Sequence, residues 1–423
     1  MSLIINLETL SYETREKISK ELELRLENKF GPSKVKYIYP FTIENNNIKL
    51  PFAYAVQLLH CKRPERTLFG SSQVSFDGNL REEQIVVEKE AITKLSSKGS
   101  VMISCGTGFG KTAMSIKLST TIRMKTLIIV NKIVLLAQWE ESIKKFCPEA
   151  TIQSVSPRSP KENVDYYIIN AQNIEKMGKK YFQDIGLCIV DEVHLIVAES
   201  LSRCLQYVYP RYLIGLSATP YRPDGLDQLL NLYFGDYKIV RKLYCKHQVY
   251  RINTGFTPKV QKTRDGKVDW GSILAEQGGN QERNDLICRI IVSQPQRTFL
   301  VLVKRVEQGR YLLDKLQVGG ENVTDLIGSK QEFDPAARIL IGTCQKVGVG
   351  FDHPRLDTLL LATDIEEYFI QYLGRVFRRK DVQPMIFDLV DNNPILLRHF
   401  KTRQKIYQEC GGEITTPNIE NYL

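Results

Sequence analysis

The chain has 423 residues, more than a single hydrophobic core usually serves, so two or three domains are expected. Hydrophobic residues make up 43% and charged residues 25%, a composition typical of globular proteins that argues against a disordered or membrane-spanning chain. The net charge of +10 suits a polyanionic partner but does not by itself establish one.

Cysteine usage and the first residues bear on the compartment. The nine cysteines are dispersed without a CxxC pair, which argues against a disulfide framework and against a zinc site. The start, MSLIINLETLSYETREK, has no basic segment followed by a long apolar stretch, so no secretion signal is expected. We therefore expect an intracellular protein, in the cytoplasm or the nucleus, that does not interact with membranes.

Residues 1–75 differ in pattern from the rest of the chain. EKISKELELRLENKF has leucine and isoleucine at helical spacing, and IKLPFAYAVQLL is typical of a strand followed by a helix. We interpret 1–75 as a small α+β accessory domain. Its sequence carries no chemistry that we can name. It could bind nucleic acid or dock onto a transcription or repair complex.

From residue 76 onward, short apolar runs alternate with amphipathic stretches. The first series is VMISC, KTLIIV, YYIIN, LCIVDE and LIGLSAT, and the second is TFLVLV, RILIGT, TLLLAT and PMIFDLV. Runs that are apolar at every position predict strands buried on both faces of a parallel sheet. Two α/β lobes are therefore predicted, at 76–236 and 237–423, with a polar insertion near 258–285 in the second.

A glycine-rich segment, CGTGFGKT, follows the first of these strands. It matches the last three positions of the Walker A pattern G-x-x-x-x-G-K-[ST], with Cys105 in place of the first glycine. Gly106, Gly108 and Gly110 would let backbone N–H groups turn toward a phosphate with no Cβ in the way. The segment therefore predicts a phosphate cradle.

The two residues after the last glycine would complete this cradle. Lys111 would reach the β and γ oxygens of a nucleotide, and Thr112 would ligate Mg²⁺. The helix that starts near Lys111 would point its positive end at the phosphates. The alternative is a plain glycine-rich turn, which fits less well because GKT stands directly between a buried strand and a helix.

The strand in LCIVDEVH ends in two acidic residues. Asp191 would hold Mg²⁺, directly or through water, and Glu192 would polarise the attacking water. The alternative is a solvated acidic strand end. Two carboxylates at the end of a buried strand, about 80 residues after the Walker lysine, favour the metal site.

A basic segment near the end of the second lobe, QYLGRVFRR, places Arg375 and Arg378 on one face of a predicted helix. The alternative is a basic helix that faces solvent. The functional interpretation is a pair of arginine fingers that close on the γ-phosphate and neutralise transition-state charge. If the nucleotide lies between the lobes, hydrolysis would open and close them, as a motor requires.

Taken in order, these segments resemble the motifs of superfamily 2 helicases and translocases. LREEQ resembles the segment before motif I, GTGFGKT motif I, and LIIVNKIVLLAQW motif Ia. DEVH resembles motif II and SATP motif III, while FLVLVKRVEQ, IGTCQKVGVGFDHPRLDTLLLAT and QYLGRVFRR resemble motifs IV, V and VI. The resemblance covers roughly residues 76–390. It implies an α/β protein with two tandem RecA-like parallel-sheet lobes and a small α+β N-terminal domain.

Two longer segments, GLSATPYRPDGLD and GVGFDHPRLDTLLLAT, most resemble the XPB-type group. That group includes transcription and repair translocases and the transcript-release helicases of large DNA viruses. The resemblance implies an ATPase that moves along DNA with 3′-to-5′ polarity and uses ATP and Mg²⁺. Asn131 and Lys132 stand where many members have Pro and Thr, and no clear Arg-Glu-Asp loop is present. An RNA helicase and the motor subunit of a restriction or nuclease complex remain alternatives. A monomer is favoured.

The resemblance also implies roles for single residues. Hydrolysis would depend on Lys111, Asp191, Glu192, Arg375 and Arg378. The nucleotide would be bound by Gln84 at the adenine edge and by Gly106, Gly108, Gly110, Lys111, Thr112, Gly350 and Asp352, with Mg²⁺ on Thr112 and Asp191. Phosphates of the nucleic acid would be contacted by Asn131, Lys132, Lys304, Arg305 and Thr343. The nucleotide state would be sensed by His194, Ser217, Thr219 and Gln371.

Overall fold

The structure, a computed structural model, describes residues 2–26, 36–196, 202–218, 227–348, 351–366, 369–418 and 420. The chain divides into two compact units, Met1–Arg241 and Lys242–Leu423. Each unit contains a seven-stranded sheet, which confirms the predicted pair of parallel-sheet lobes. No helix among these described residues has both the length and the apolar character that crossing a membrane requires.

In the described parts of the N-terminal segment, 2–26 and 36–75, there are two small antiparallel sheets and one α-helix. Its elements are β1 (Ser2–Asn6), α1 (Tyr12–Glu21), β2 (Leu24–Leu26), β3 (Lys36–Ile38), β4 (Thr42–Glu44) and β5 (Asn47–Pro51). The sheets have the orders β1-β5-β4 and β2-β3. Ile18 and Leu50 pack into the same core as Phe234 of the first lobe. The segment has the predicted α+β composition, and its boundary near residue 75 stays a prediction.

The rest of the first unit alternates strands and helices. Its elements are α2 (Glu82–Lys98), β6 (Ser100–Cys105), α3 (Lys111–Ile122), β7 (Thr126–Val130), α4 (Val134–Phe146), β8 (Ile152–Val155), β9 (Tyr166–Asn170), α5 (Ile174–Met177), β10 (Leu187–Val190), α6 (Val193–Ile196), β11 (Tyr212–Ser217), α7 (Asp227–Phe234) and β12 (Lys238–Arg241). The sheet order is β12-β6-β11-β10-β7-β9-β8, with every pair parallel. β6, β7 and β10 are buried at every position, as helices on both faces of a parallel sheet require.

The second unit repeats this alternation. Its elements are β13 (His247–Asn253), α8 (Trp270–Gly279), α9 (Gln281–Val292), β14 (Phe299–Val303), α10 (Val306–Val318), β15 (Val323–Leu326), β16 (Ile339–Thr343), α11 (Cys344–Gly348), β17 (Thr358–Leu361), α12 (Phe369–Val376), β18 (Met385–Val390), α13 (Pro394–Glu409) and β19 (Gly412–Thr415). The sheet order is β15-β16-β14-β17-β18-β13-β19, again parallel throughout. The segment predicted as a polar insertion contains α8 and the start of α9.

A buried cluster of charged side chains ties α13 to this second sheet. The Arg403 guanidinium donates to both carboxylate oxygens of Asp388 and to Oδ1 of Asp364, each at 2.8 Å. Nδ1 of His399 lies 2.7 Å from Oδ2 of Asp364, and the Tyr407 hydroxyl donates to Asp388. Because Arg403 is only 2% exposed, its loss would leave two carboxylates buried without their main counter-charge.

We therefore expect Arg403→Ala to lower the free energy of unfolding of the second unit by about 3–5 kcal/mol, the usual result of breaking a buried ion pair. Urea denaturation followed by circular dichroism measures this change. Arg398→Ala, at an exposed position of the same helix, is the matched control and should cost less than about 0.5 kcal/mol. Equal effects of the two substitutions would contradict a stabilising role for the cluster.

Candidate active site

The candidate site lies at the carboxyl edge of the first unit's sheet. β6 leads into the glycine-rich loop, β11 ends at Ser217, and β10 is followed by Asp191 and Glu192. β6, β11 and β10 are neighbours in this order, and parallel strands all end at the same edge. Three segments that are distant in sequence therefore come side by side.

The loop between β6 and α3 has the backbone shape of a phosphate cradle. Gly108 and Gly110 have φ angles of 82° and 87°, in the left-handed region that glycine adopts without steric cost. A Cβ on Gly110 would overlap Nε2 of Gln84, so a side chain at this position would have to displace Gln84. Gly110 also caps α3, and the positive end of that helix therefore faces the loop. The loop fits a bound phosphate.

Two side chains at the start of α2 hold this loop. Nε2 of Gln84 donates to the carbonyl of Phe109 at 2.7 Å, and its Oε1 accepts the backbone N–H of Arg81 at 2.8 Å. The Arg81 guanidinium donates to the same Phe109 carbonyl and, at 3.3 Å, to that of Gly108. Arg81 is not among the site residues predicted from the sequence, where its only signal is its place in LREEQ. The predicted contact of Gln84 with adenine stays a prediction.

The Walker lysine and threonine open α3. Nζ of Lys111 donates to the carbonyl of Cys105 at 2.8 Å, and Thr112 is half-buried next to it. At the other end of the loop, the N–H of Gly106 donates to the carbonyl of Arg241 at 3.3 Å. The loop is therefore tied both to its own helix and to the edge strand β12.

Asp191 accepts a hydrogen bond on each carboxylate oxygen. Nε1 of Trp139 donates to Oδ2 at 2.9 Å, and the backbone N–H of Glu192 donates to Oδ1 at 2.9 Å. Burial, followed by the charge of Glu192, raises the pKa of Asp191, while the indole N–H and the Lys111 ammonium group oppose that shift. Each oxygen keeps a second lone pair, so the carboxylate fits a metal ion or a metal-bound water.

Glu192 is held in a strained conformation beside the motif III residue. Its φ of 45° is in the left-handed region, which is costly for a residue other than glycine. Its buried Oε2 has no hydrogen-bond partner among the described residues and lies 3.5 Å from Nδ1 of His194. That nitrogen also lies 2.9 Å from Oγ of Ser217. His194 of motif II and Ser217 of motif III are therefore in contact, while Thr219 lies outside the described residues. Their role in sensing the nucleotide stays a prediction.

Asn131 and Lys132 lie at the same edge, after β7, the strand next to β10. Both are half-buried, and Oδ1 of Asn131 is buried without a hydrogen-bond partner in the described part of the chain. The turn they form runs directly into α4, because the N–H of Leu135 donates to the carbonyl of Lys132 at 3.2 Å. The predicted phosphate contacts of the first lobe are thus close in the fold to the predicted nucleotide-binding residues.

The predicted phosphate contacts of the second unit also come together. Lys304 and Arg305 follow β14, Thr343 ends the neighbouring β16, and Val303 is directly opposite Thr343. Nη2 of Arg305 donates to the carbonyl of Gly271 at 2.8 Å. These three side chains therefore belong to one carboxyl edge, and their contacts with nucleic acid stay a prediction.

The two predicted arginine fingers support a backbone segment of their own unit. Arg375 is buried on α12 and donates to the carbonyls of Gly348 and Phe351. Arg378 forms an ion pair with Asp352. Both guanidinium groups thus bind the segment that follows α11, and a role on a nucleotide stays a prediction.

Two further predicted residues belong to the same region. Gln371 is buried on α12, and its Nε2 has no hydrogen-bond partner among the residues that the structure describes. Gly350 lies outside the described residues. The coupling role of Gln371 and the nucleotide contact of Gly350 stay predictions.

Comparison with known proteins identifies the family. Residues 77–222 match the family described as the type III restriction enzyme, res subunit. Protein 161L of Invertebrate iridescent virus 6, named as a helicase, is 42% identical over 97% of this chain and 98% of its own. The chain belongs to the superfamily 2 helicases. Members of this family hydrolyse ATP and bind nucleic acid, so this helicase is an ATP-hydrolysing enzyme.

Two more distant similarities concern the subgroup and the fold. The DNA 3′-5′ translocase XPB2 of Sulfurisphaera tokodaii is 29% identical over 42% of this chain and 42% of its own. The solved structure of S. cerevisiae Dbp5 bound to RNA and ADP BeF3 has a TM-score of 0.57 at 15% identity, covering 79% of this helicase and 90% of that chain. At that identity the similarity shows the fold alone, which is the predicted pair of RecA-like lobes.

We expect Gly110→Ala to weaken ATP binding by roughly 10-fold or more, because the added Cβ both strains the backbone and displaces Gln84. Equilibrium titration with a fluorescent ATP analogue measures the affinity. Gly178→Ala is the control, since it has a similar φ of 73° but no atom within 4 Å of the added Cβ. An unchanged affinity in Gly110→Ala would contradict the assignment of this loop as the phosphate cradle.

Proposed function

We propose that this helicase is a translocase that hydrolyses Mg²⁺-bound ATP to move along DNA, in transcription or repair. The observation that carries the proposal is the arrangement at the first unit's carboxyl edge. There Lys111 opens the helix after β6, Asp191 and Glu192 follow β10, and these two strands flank β11. Asn131 and Lys132 follow β7, the strand next to β10. ATP binding and nucleic-acid binding would thus use neighbouring strand ends of one sheet.

The ATP chemistry follows from the side chains at this edge. Lys111 would bind the β and γ oxygens, and Thr112 and Asp191 would hold Mg²⁺. When bound, Mg²⁺ neutralises charge that develops on the phosphates. Oε2 of Glu192, buried and without a hydrogen-bond partner among the described residues, would orient the attacking water and accept its proton.

We also propose that Arg375 and Arg378 act on the same ATP. Arg378 now has Asp352 as its counter-charge, and exchanging that carboxylate for a γ-phosphate would give a guanidinium suited to transition-state charge. Such an exchange would release the segment after α11, and the nucleotide would thereby act on Thr343, the last residue of β16, which directly precedes that helix. Gly350 and Asp352 would contact the nucleotide in this state.

The nucleic acid would be held by its backbone in both units. Asn131 and Lys132 in the first unit, and Lys304, Arg305 and Thr343 in the second, would contact phosphates and carry no sequence information. If the two sets grip in alternation, each round of hydrolysis advances the protein by one step. Residues 1–75 would dock a transcription or repair complex, and we propose that the motor acts as a monomer.

We further propose that the nucleic acid is DNA. DNA is favoured by the motif resemblance to the XPB-type group and by the similarity to a protein named as a DNA translocase. An RNA helicase is the second candidate, since a protein of the same fold is seen bound to RNA. A motor subunit of a restriction or nuclease complex is the third, favoured by the family match of residues 77–222.

We expect Glu192→Gln and Lys111→Ala each to lower the ATPase rate by at least about 10²-fold, as loss of a catalytic base or of transition-state charge stabilisation does. Glu192→Gln should keep its affinity for ATP, because it removes a charge from the water position and leaves the cradle intact, whereas Lys111→Ala should lose it. Glu149→Gln, at an exposed position, is the control. Full activity in Glu192→Gln would contradict its assigned role.

We expect DNA to stimulate the ATPase more strongly than RNA of the same sequence. The activation should weaken steeply with salt, because backbone binding releases counterions. Lys304→Ala should reduce the slope of log affinity against log salt by about 1, while Lys315→Ala, exposed later on α10, should not. Stimulation by RNA alone would replace the DNA proposal, and equal rates with and without nucleic acid would refute the motor.

A further inference from the structure

Trp139 connects a core helix to the predicted metal ligand. It lies on the buried face of α4 together with Leu135 and Ile143, one helical turn apart, and is 2% exposed. A buried indole N–H needs an acceptor, and here Nε1 donates to Oδ2 of Asp191 at 2.9 Å. A core tryptophan thus uses its one polar atom on the carboxylate at the centre of the candidate site.

We propose that Trp139 is a positioning residue for ATP hydrolysis, which fixes the rotation of the Asp191 carboxylate toward Mg²⁺. The inference rests on the proposed function, because it takes Asp191 as a metal ligand. With the indole on Oδ2 and the N–H of Glu192 on Oδ1, both oxygens are held and each keeps one lone pair. The carboxylate therefore cannot turn freely, and it still has two lone pairs for the metal or its waters.

The chemistry of an indole suits this role. An indole N–H only donates and carries no charge, so it favours the ionised carboxylate without neutralising it. A lysine or arginine in its place would compete with Mg²⁺ for the same negative charge. Hydrogen-bond partners of this kind, which orient a ligand from behind, typically change metal affinity or activity by about 10–100-fold when they are removed.

The competing explanation is that Trp139 only fills the core. A positioning role and a packing role can be separated by experiment, because the chain has only one other tryptophan, Trp270. Trp270 lies in the second unit, where its ring centroid is 5.3 Å from that of His399. In a Trp270→Phe background, tryptophan analogues supplied during biosynthesis enter at position 139 alone. Replacement by 3-benzothienylalanine then keeps the shape of the indole and exchanges the N–H for sulphur, which cannot donate.

In this background we expect the sulphur analogue to lower kcat by about 10-fold or more and to raise the Mg²⁺ concentration for half-maximal rate by a similar factor. KM for ATP should change much less, since the cradle is intact, and the thermal unfolding midpoint should stay that of the parent. Trp139→Phe should show the same kinetic loss together with lower stability. Parent values of kcat and of the Mg²⁺ dependence in the sulphur analogue would overturn the proposal.

A second readout does not depend on catalysis. In Trp270→Phe, Trp139 is the sole source of tryptophan emission, and we expect that emission to change when Mg²⁺ is added to protein saturated with a non-hydrolysable ATP analogue. No change on adding Mg²⁺ would overturn the proposal. If the wild-type protein shows no nucleic-acid-stimulated ATPase, the proposed function fails, and the emission titration in Trp270→Phe still decides whether the indole reports on metal at Asp191.

Discussion

The candidate site depends on one constraint of parallel sheets. β6, β7 and β10 are buried at every position, so their strand interiors can carry no exposed chemistry. Polar side chains can project only where the strands end, and in a parallel sheet all of the carboxyl ends lie at one edge. The glycine loop, the acidic pair and the predicted phosphate contacts of the first lobe follow three of these strands. The sheet topology therefore brings these three segments together, and no single side-chain contact is needed for it.

The same edge contains several groups that destabilise the folded protein. The backbone of Glu192 is strained, its Oε2 is buried without a hydrogen-bond partner among the described residues, and Oδ1 of Asn131 shares that condition. Burial and the neighbouring carboxylate also raise the pKa of Asp191. Each of these features costs stability, and such costs accumulate where a ligand is to be bound. Their position beside the glycine loop agrees with a site built for phosphate, metal and water.

The sequence predicts the parts of this site that depend on pattern. Apolar runs locate the strands, and the residues directly after them, from Gly106 to Thr112 and at Asp191, take their place from the strand ends. The contacts between side chains are not predictable in this way. The hydrogen bond from Trp139 to Asp191 depends on how α4 packs against α3, β8 and β9, and nothing in the local pattern encodes that packing. The hydrogen bond from Gln84 to the Phe109 carbonyl likewise depends on packing, and from the sequence we predict only an adenine contact for Gln84.

Triplex displacement tests most directly the proposal that ATP hydrolysis moves this protein along DNA. A third strand annealed to a duplex should be released by the wild-type protein with ATP, and should stay bound with a non-hydrolysable analogue. A third strand that stays in place while the protein hydrolyses ATP on the same DNA would contradict the claim.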